Sequence, residues 1–375
     1  MVRVLLDVSA VPAQPVGAGI YTIALASGLA AHPAVDLHLL ARRADDRWST
    51  VAPAATLHAR APELRPARLA WEQTSAARVT DKIRPDVYHG PHYTLPLRGT
   101  TRSVVTVHDL TFFDHPEWHE RSKVIYFRHM IRAAAARADT VICVSEHTAR
   151  RLRAVAPPTG DIEVIYHGVD HERFRPEATR ADDLARLAGH GVSPPFIAFV
   201  GTIEPRKDVP IVVRAFARIA PMRPDLRLVL AGGNGWGTDA VRKAVVDSGV
   251  ATRIIRTGYV PDDVVAALYR RAEVVAYPSL EEGFGLPALE ALACGAALVT
   301  TSGSAVEEVV GDAAFVVPPG DLEAFGGAAM TLLDNTERNA ELRAAGPERA
   351  ARFTWDSTIE RHVEVYERIA GRAAA

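Results

Sequence analysis

Two cysteines in 375 residues, Cys143 and Cys294, are too few for a disulfide framework or a cysteine-based zinc site. Each lies in an apolar run and reads as a buried thiol of a reducing compartment. No apolar run is long enough to cross a bilayer, and the N-terminus enters a short strand without a basic leader or a cleavable apolar segment. The expected location is cytoplasmic. An excess of one charge is also missing: 43 Lys and Arg stand against 45 Asp and Glu, for a net charge of −2, so no nucleic-acid partner is expected. No aspartates recur at D-x-D spacing and no His and Cys cluster has zinc spacing, so no metal site is expected.

Core-forming residues are plentiful. Hydrophobic residues make up 48% of the chain and charged residues 23%, the balance of a soluble globular protein, and the length suits two domains. In the first half, Val2–Val8, Val35–Leu40, Asp86–His89, Val104–Val107, Thr140–Val144 and Glu163–Tyr166 read as strands. Between them Ile20–Ala31, Leu69–Ile83, Ser122–Arg137 and Glu146–Val155 read as helices. Short apolar runs alternating with helical patterns predict a parallel sheet covered on both faces. The polar, proline-containing stretch 170–195 reads as an interdomain connection. Strands then resume at Phe196–Val200, Leu226–Leu230, Arg253–Arg256, Val274–Tyr277, Ala297–Thr300 and Ala314–Val317, with a last helix over Trp355–Ile369 for which Asp356 is a candidate cap. The predicted fold class is α/β: two Rossmann-like, doubly wound parallel-sheet domains facing across a cleft, over 1–175 and 176–353, followed by a helical segment over 354–375.

The most informative stretch is Glu282-Gly-Phe-Gly-Leu-Pro-Ala-Leu-Glu290. Its glycines stand between a predicted strand and a predicted helix, where a backbone approaches a ligand closely. At about 100° per residue, Glu290 falls beside the apolar stripe formed by Leu286, Leu289, Leu292 and Ala293. A carboxylate there needs donors, and the hydroxyls of a sugar or ribose are suitable ones. Other chemistry-bearing residues also follow predicted strands. Gly17 and Gly19 enter a helix whose free amides favour an anion. His108 and Asp109 follow one strand, and Ser145 with Glu146 follows another, where a helix cap is the better reading. Arg206 and Lys207 follow the strand that opens the second domain, placed to neutralise a phosphate. The loop Gly232-Gly233-Asn234-Gly235 reads equally as a ligand approach or a tight turn.

The 282–290 run resembles the E-x7-E signature of retaining nucleotide-sugar glycosyltransferases of the GT-B fold, in particular glycosyltransferase family 4. The resemblance extends over nearly the whole chain. It implies that Arg206 and Lys207 hold the donor diphosphate and that the amides of Gly283, Phe284 and Gly285 touch the donor. It assigns Glu282 to the hydroxyls of the transferred sugar, Glu290 to the ribose, and His108 to orienting sugar or acceptor. Gly17 and Gly19 match a glycine-rich loop that lies against the donor, and the Gly258–Asp262 loop, with Val260, matches a segment whose backbone pairs with the base. Two positions depart from the family: Thr202 stands where some members carry the arginine, and His167 replaces the asparagine of an N-G-V-D segment. The resemblance further implies front-face departure and attack, without metal or cofactor, the leaving phosphate taking the acceptor's proton.

The segments Val105–Phe112 and His115–Trp118 look most like bacterial mannosyltransferases of surface polysaccharides. GDP-mannose is therefore the first donor expected and UDP-glucose the second, with a glycan or lipid-linked acceptor. Arg121, Lys123, Arg128, Arg132 and Arg137 give one helix a basic character compatible with peripheral membrane contact, although ordinary solvation explains it as well. Three other readings stand beside this one: a nucleotide-sugar epimerase of the same fold, an inert scaffold, and an NADP reductase using Gly17, Gly19, Arg42 and Arg43.

Overall fold

A computed structural model describes residues 1–177 and 179–371. The chain divides into two compact units, Met1–Gly168 with the last helix, and Val169–Thr354. In the first, β1 (Val2–Asp7), β2 (Val35–Arg42), β3 (Thr56–Ala61), β4 (Val87–Gly90), β5 (Arg102–Val107), β6 (Thr140–Cys143) and β7 (Asp161–Val164) form a sheet of order β3-β2-β1-β4-β5-β6-β7. Every pairing is parallel. Val4, Leu5 and Leu6 are fully buried, as a central strand covered on both faces requires.

The last helix, Trp355–Gly371, packs Ile359, Val363, Val365, Tyr366 and Ile369 into the same core as Val4, Leu6 and Leu25. Each apolar side chain so buried contributes roughly 1.5–3 kcal/mol. Gly28 on the helix Ala18–Ala31 permits this approach, because a Cβ there would lie 2.5 Å from Ile359 Cγ1. A chain of hydrogen bonds also fastens the last helix, and its direction follows from one pure acceptor. His362 Nδ1 must donate to the Thr358 carbonyl at 2.7 Å. The neutral ring's Nε2 then accepts from Tyr21 Oη at 2.8 Å, and Tyr21 accepts from Thr106 Oγ1 at 3.0 Å. Thr106 in turn accepts from His89 Nε2 at 2.8 Å, and His89 Nδ1 accepts from Tyr366 Oη at 2.6 Å. Burial holds both imidazoles neutral, with His362 lowered to about 4.

In the second unit, β8 (Phe196–Val200), β9 (Arg227–Ala231), β10 (Ile254–Gly258), β11 (Val274–Tyr277), β12 (Leu298–Thr301) and β13 (Phe315–Val317) form a parallel sheet of order β10-β9-β8-β11-β12-β13. Its core is built around Phe199, Phe216, Leu228, Leu230 and Phe325.

The structure corrects several expectations. The stretch 170–195 is not a plain connection: it lies in the second unit and carries the helix Arg180–Ala188, whose buried Asp183 pairs with Arg270 and Arg271. The helix read over Leu69–Ile83 is two, Arg65–Thr74 and Ala76–Ile83, broken where Ser75 leaves helical geometry. Strand β3 was not expected, because most of its residues are exposed and it has no apolar run. Strand β7 begins two residues before its expected start, and Asp356 lies inside the first turn of its helix, not at the cap. Ser145 is the expected cap, accepting from the Thr148 amide at 3.0 Å.

Candidate active site

The strand order of the second sheet reverses between β8 and β11. In open parallel sheets ligands bind outside the carboxyl ends of the strands at such a reversal. Arg206 and Lys207 follow β8 in a short 3-10 turn started by Pro205, and Glu282 follows β11. The Leu280 amide donates to the Arg206 carbonyl at 2.9 Å and ties the two loops together.

The pair is not a solvated surface feature. Lys207 is 5% exposed and Glu282 6%. Glu282 Oε1 accepts from Lys207 Nζ, from Tyr277 Oη at 2.8 Å and from Ser279 Oγ at 2.6 Å. Its Oε2 accepts from Arg206 Nη1 at 2.5 Å. Arg206 also donates to Glu204 at 2.8 Å and to the Glu281 carbonyl at 3.0 Å. Lys207 donates to Tyr277 Oη at 2.6 Å and lies 4.6 Å from the centre of its ring. Burial by itself would raise the Glu282 carboxyl, but the Arg206 and Lys207 charges hold it well below the usual range. Burial, reinforced by Arg206, lowers the Lys207 ammonium against the pull of Glu282. Tyr277, Ser279 and Glu204 were not identified from sequence as members of this cluster. The signal available was Tyr277-Pro278-Ser279 immediately before the glycine loop.

The helix Leu286–Ala293 starts at Gly285, whose φ of 101° is costly for an L side chain. A Cβ there would also lie 2.8 Å from Val306 Cγ2. Phe284 and Gly283 are buried beside it. Glu290, just over one turn along, accepts from Tyr269 Oη at 3.4 Å. Burial, aided by Asp262, raises its carboxyl to about 8. Val260 is buried just after β10, while Tyr259 is exposed. The Gly232–Gly235 loop is pinned, with Gly232 donating to the Gly258 carbonyl and Gly235 to that of Ile203.

The remaining sequence-marked residues belong to the first unit. His108 is buried after β5 and donates Nε2–H to the Pro91 carbonyl at 2.7 Å, so Nδ1 of the neutral ring is an acceptor. Gly17 has φ 45° at the start of its helix. The Gly19 amide donates to the Val16 carbonyl at 2.8 Å, so it is not the free anion donor expected from sequence. Arg42, considered for a 2′-phosphate, is committed to the Val11 carbonyl at 2.7 Å and to Asp45 at 3.2 Å. His167 is buried with its ring 4.8 Å from that of Tyr21. In the basic helix, Arg128 donates to the Phe112 carbonyl and Arg132 lies over the Phe113 ring. No described helix is long and apolar enough to cross a membrane. Among the described residues no group of three or more His, Cys, Asp or Glu is placed to hold a metal ion.

Comparison with known proteins agrees with this architecture. Residues 186–349 match the family model for glycosyl transferases group 1, and residues 15–173 match that for glycosyltransferase family 4. The O-antigen chain mannosyltransferase B of Escherichia coli is 30% identical over 311 residues, covering 81% of this chain and 78% of that protein. Sucrose-phosphate synthase from Thermosynechococcus elongatus has the same fold, with a TM-score of 0.82 at 22% identity over 98% of this chain and 99% of its own. Anabaena HepE, solved in complex with UDP-glucose, superposes with a TM-score of 0.79 at 18% identity over 98% of this chain and 100% of its own. The chain belongs to glycosyltransferase family 4 and is a glycosyltransferase of the GT-B fold.

Proposed function

We propose that this enzyme transfers mannose from GDP-mannose, with retention, to a glycan or lipid-linked acceptor in surface polysaccharide synthesis. It works in the cytoplasm, in peripheral contact with the membrane that carries such an acceptor. The buried Arg206–Lys207–Glu282 cluster at the β8–β11 reversal is the observation that carries the transferase chemistry. The similarity to an O-antigen chain mannosyltransferase supports the choice of sugar.

In this reading Arg206 and Lys207 neutralise the charge that develops on the diphosphate as the glycosidic bond breaks, which needs no metal. Glu282 holds both cations in place. Among the described residues its Oε2 accepts from Arg206, and it keeps acceptor capacity for a sugar hydroxyl. The amides of Gly283, Phe284 and Gly285 contact the donor, as does the Gly17–Gly19 loop, and the backbone around Val260 meets the base. Glu290, with its carboxyl raised to about 8, is largely protonated at neutral pH and can both donate to and accept from the ribose hydroxyls. His108 offers its Nδ1 lone pair to a hydroxyl of the sugar or acceptor. The leaving phosphate takes the acceptor's proton.

A thermal-shift series with GDP, UDP, ADP, their sugar conjugates and NADP tests this. GDP and GDP-mannose should stabilise the enzyme by about 2.7 kcal/mol at a hundredfold excess over Kd, and Glu290→Ala should abolish the shift. A shift with UDP and UDP-glucose alone would replace the donor and leave the class intact, and it is the second reading because a HepE structure holds UDP-glucose. A response to NADP alone would overturn the assignment of these residues.

A further inference from the structure

The first sheet has its own reversal of strand order, between β1 and β4, and a second polar cluster stands at its carboxyl end. Asp7 ends β1 and accepts from Tyr88 Oη and from the Ser9 amide, each at 2.9 Å. Glu72, on the helix Arg65–Thr74, is 3% exposed and accepts from Gln73 at 3.2 Å. Three groups able to donate surround them, none with a hydrogen bond among the described residues. The Arg68 guanidinium comes no closer to Glu72 than 3.8 Å, a charge contact too long for a hydrogen bond. His92, two residues past β4, has a sealed Nδ1 without a partner, and so has the hydroxyl of Tyr126.

These groups share one neighbourhood. Burial and then Asp7 raise Glu72 to about 7, with Arg68 opposing. Burial, with His108, Arg68 and Arg65, lowers His92 to about 3. Tyr126 is raised to about 12 by burial and by Glu72, against Arg68 and Arg65. The His92 ring is 5.9 Å from that of His108. Arg65 is exposed at the edge, over the Phe127 ring at 5.7 Å. Buried polar groups are rarely left unpaired, and His92 Nδ1 and Tyr126 Oη are two such groups close to the helix that carries Arg65 and Arg68, each able to donate to an acceptor. Arg68 meets Glu72 only at 3.8 Å and Arg65 is exposed, so both guanidiniums keep N–H donors for an acceptor that is itself an anion.

We propose that Arg68, His92 and Tyr126, with Arg65 at the entrance, form a subsite for an acidic group on the acceptor, a phosphate or a carboxylate. The proposal rests on the transferase reading for the word acceptor, but the site's chemistry stands apart from the donor.

Isothermal titration of the full-length enzyme with glucose 6-phosphate, glucuronate and glucose tests it. Both acidic sugars should bind the wild type and Arg206→Gln alike, at least about tenfold more tightly than glucose. Arg68→Gln should lose that preference. Tyr126→Phe, which removes one oxygen, should weaken acid binding several-fold without changing the melting temperature, so the result does not depend on how well Arg68→Gln folds. Tighter binding of the phosphate identifies a phosphate-linked acceptor, and tighter binding of glucuronate an acidic glycan. Equal binding of glucose, an unchanged Arg68→Gln, or loss confined to Arg206→Gln would each overturn the site. Failure of every nucleotide to shift the melting temperature would instead count against the donor reading alone.

Discussion

Glu282→Ala should destabilise the second unit by about 3–5 kcal/mol and remove glycosyl transfer, whereas Glu282→Gln combined with Lys207→Met should cost much less than the sum of the two single changes. The reason is the burial of the cluster. Lys207 and Glu282 are each less than a tenth exposed, and Glu282 accepts from Arg206, Lys207, Tyr277 and Ser279. Truncating the carboxylate leaves the buried Lys207 ammonium beside the partly exposed Arg206 guanidinium without their shared anion, and Tyr277 and Ser279 short of an acceptor. Lys207→Met alone leaves Glu282 with Arg206 and is milder for the fold. It should still lower kcat/KM by about 100- to 1,000-fold, the usual effect of removing one preorganised group at a developing charge. Urea unfolding of the singles and the double gives the coupling, and transfer assays give the catalytic loss. Additive unfolding energies would mean that the cluster is not a unit.

Much of this architecture was legible before the structure. The apolar runs of β8 and β11 are continuous because both faces of a parallel sheet are covered, and that regularity also located the loops holding Arg206, Lys207 and Glu282. Strand β3 escaped because its residues, Thr56 to Ala61, are mostly solvated and carry no period. The helix Arg180–Ala188 escaped because three prolines, Pro176, Pro194 and Pro195, and many charges flank it, although the structure buries its Asp183 between Arg270 and Arg271.

The site was legible as a set of residues but not as a network. Spacing put Glu282 and Lys207 in loops that follow predicted strands, and the structure has them after β11 and β8. Their direct pairing depends on how two loops 75 residues apart meet, which no local pattern encodes. The same limit applied at Gly19, where a glycine entering a helix promised a free amide and the Val16 carbonyl takes it. Residues of the first unit such as Arg68 and His92 escaped altogether, since nothing in their neighbourhoods resembles a motif. They stand out only through what they lack in the folded chain.

The pH dependence of stability should change measurably on replacing His362. Its pKa falls from an ordinary 6.5 to about 4 because it is buried, and Arg361 adds to the shift while the Thr358 carbonyl opposes it. For a depressed histidine the unfolded chain takes up the proton first as pH falls. Stability is therefore complete above about 6.5 and is lost between about 6.5 and 4, at about 1.4 kcal/mol per pH unit and about 3 kcal/mol in all. The total curve of the wild type does not show this alone, because Glu72, raised to about 7, gains stability as pH falls through the same range. The difference between wild type and His362→Gln isolates the histidine, since Glu72, His89, His92 and His167 titrate in both. At pH 7 the variant should be less stable by about 1–3 kcal/mol, having lost its hydrogen bond with Tyr21. The two curves should then converge as pH falls to 4. Parallel curves would show that His362 titrates alike folded and unfolded. Convergence would mean that the hydrogen-bond chain through Tyr21, Thr106 and His89 depends on a neutral ring. That chain joins the last helix to β4 and β5, the strands that deliver His92 and His108, so acid that loosens it should displace both histidines before the sheet itself unfolds.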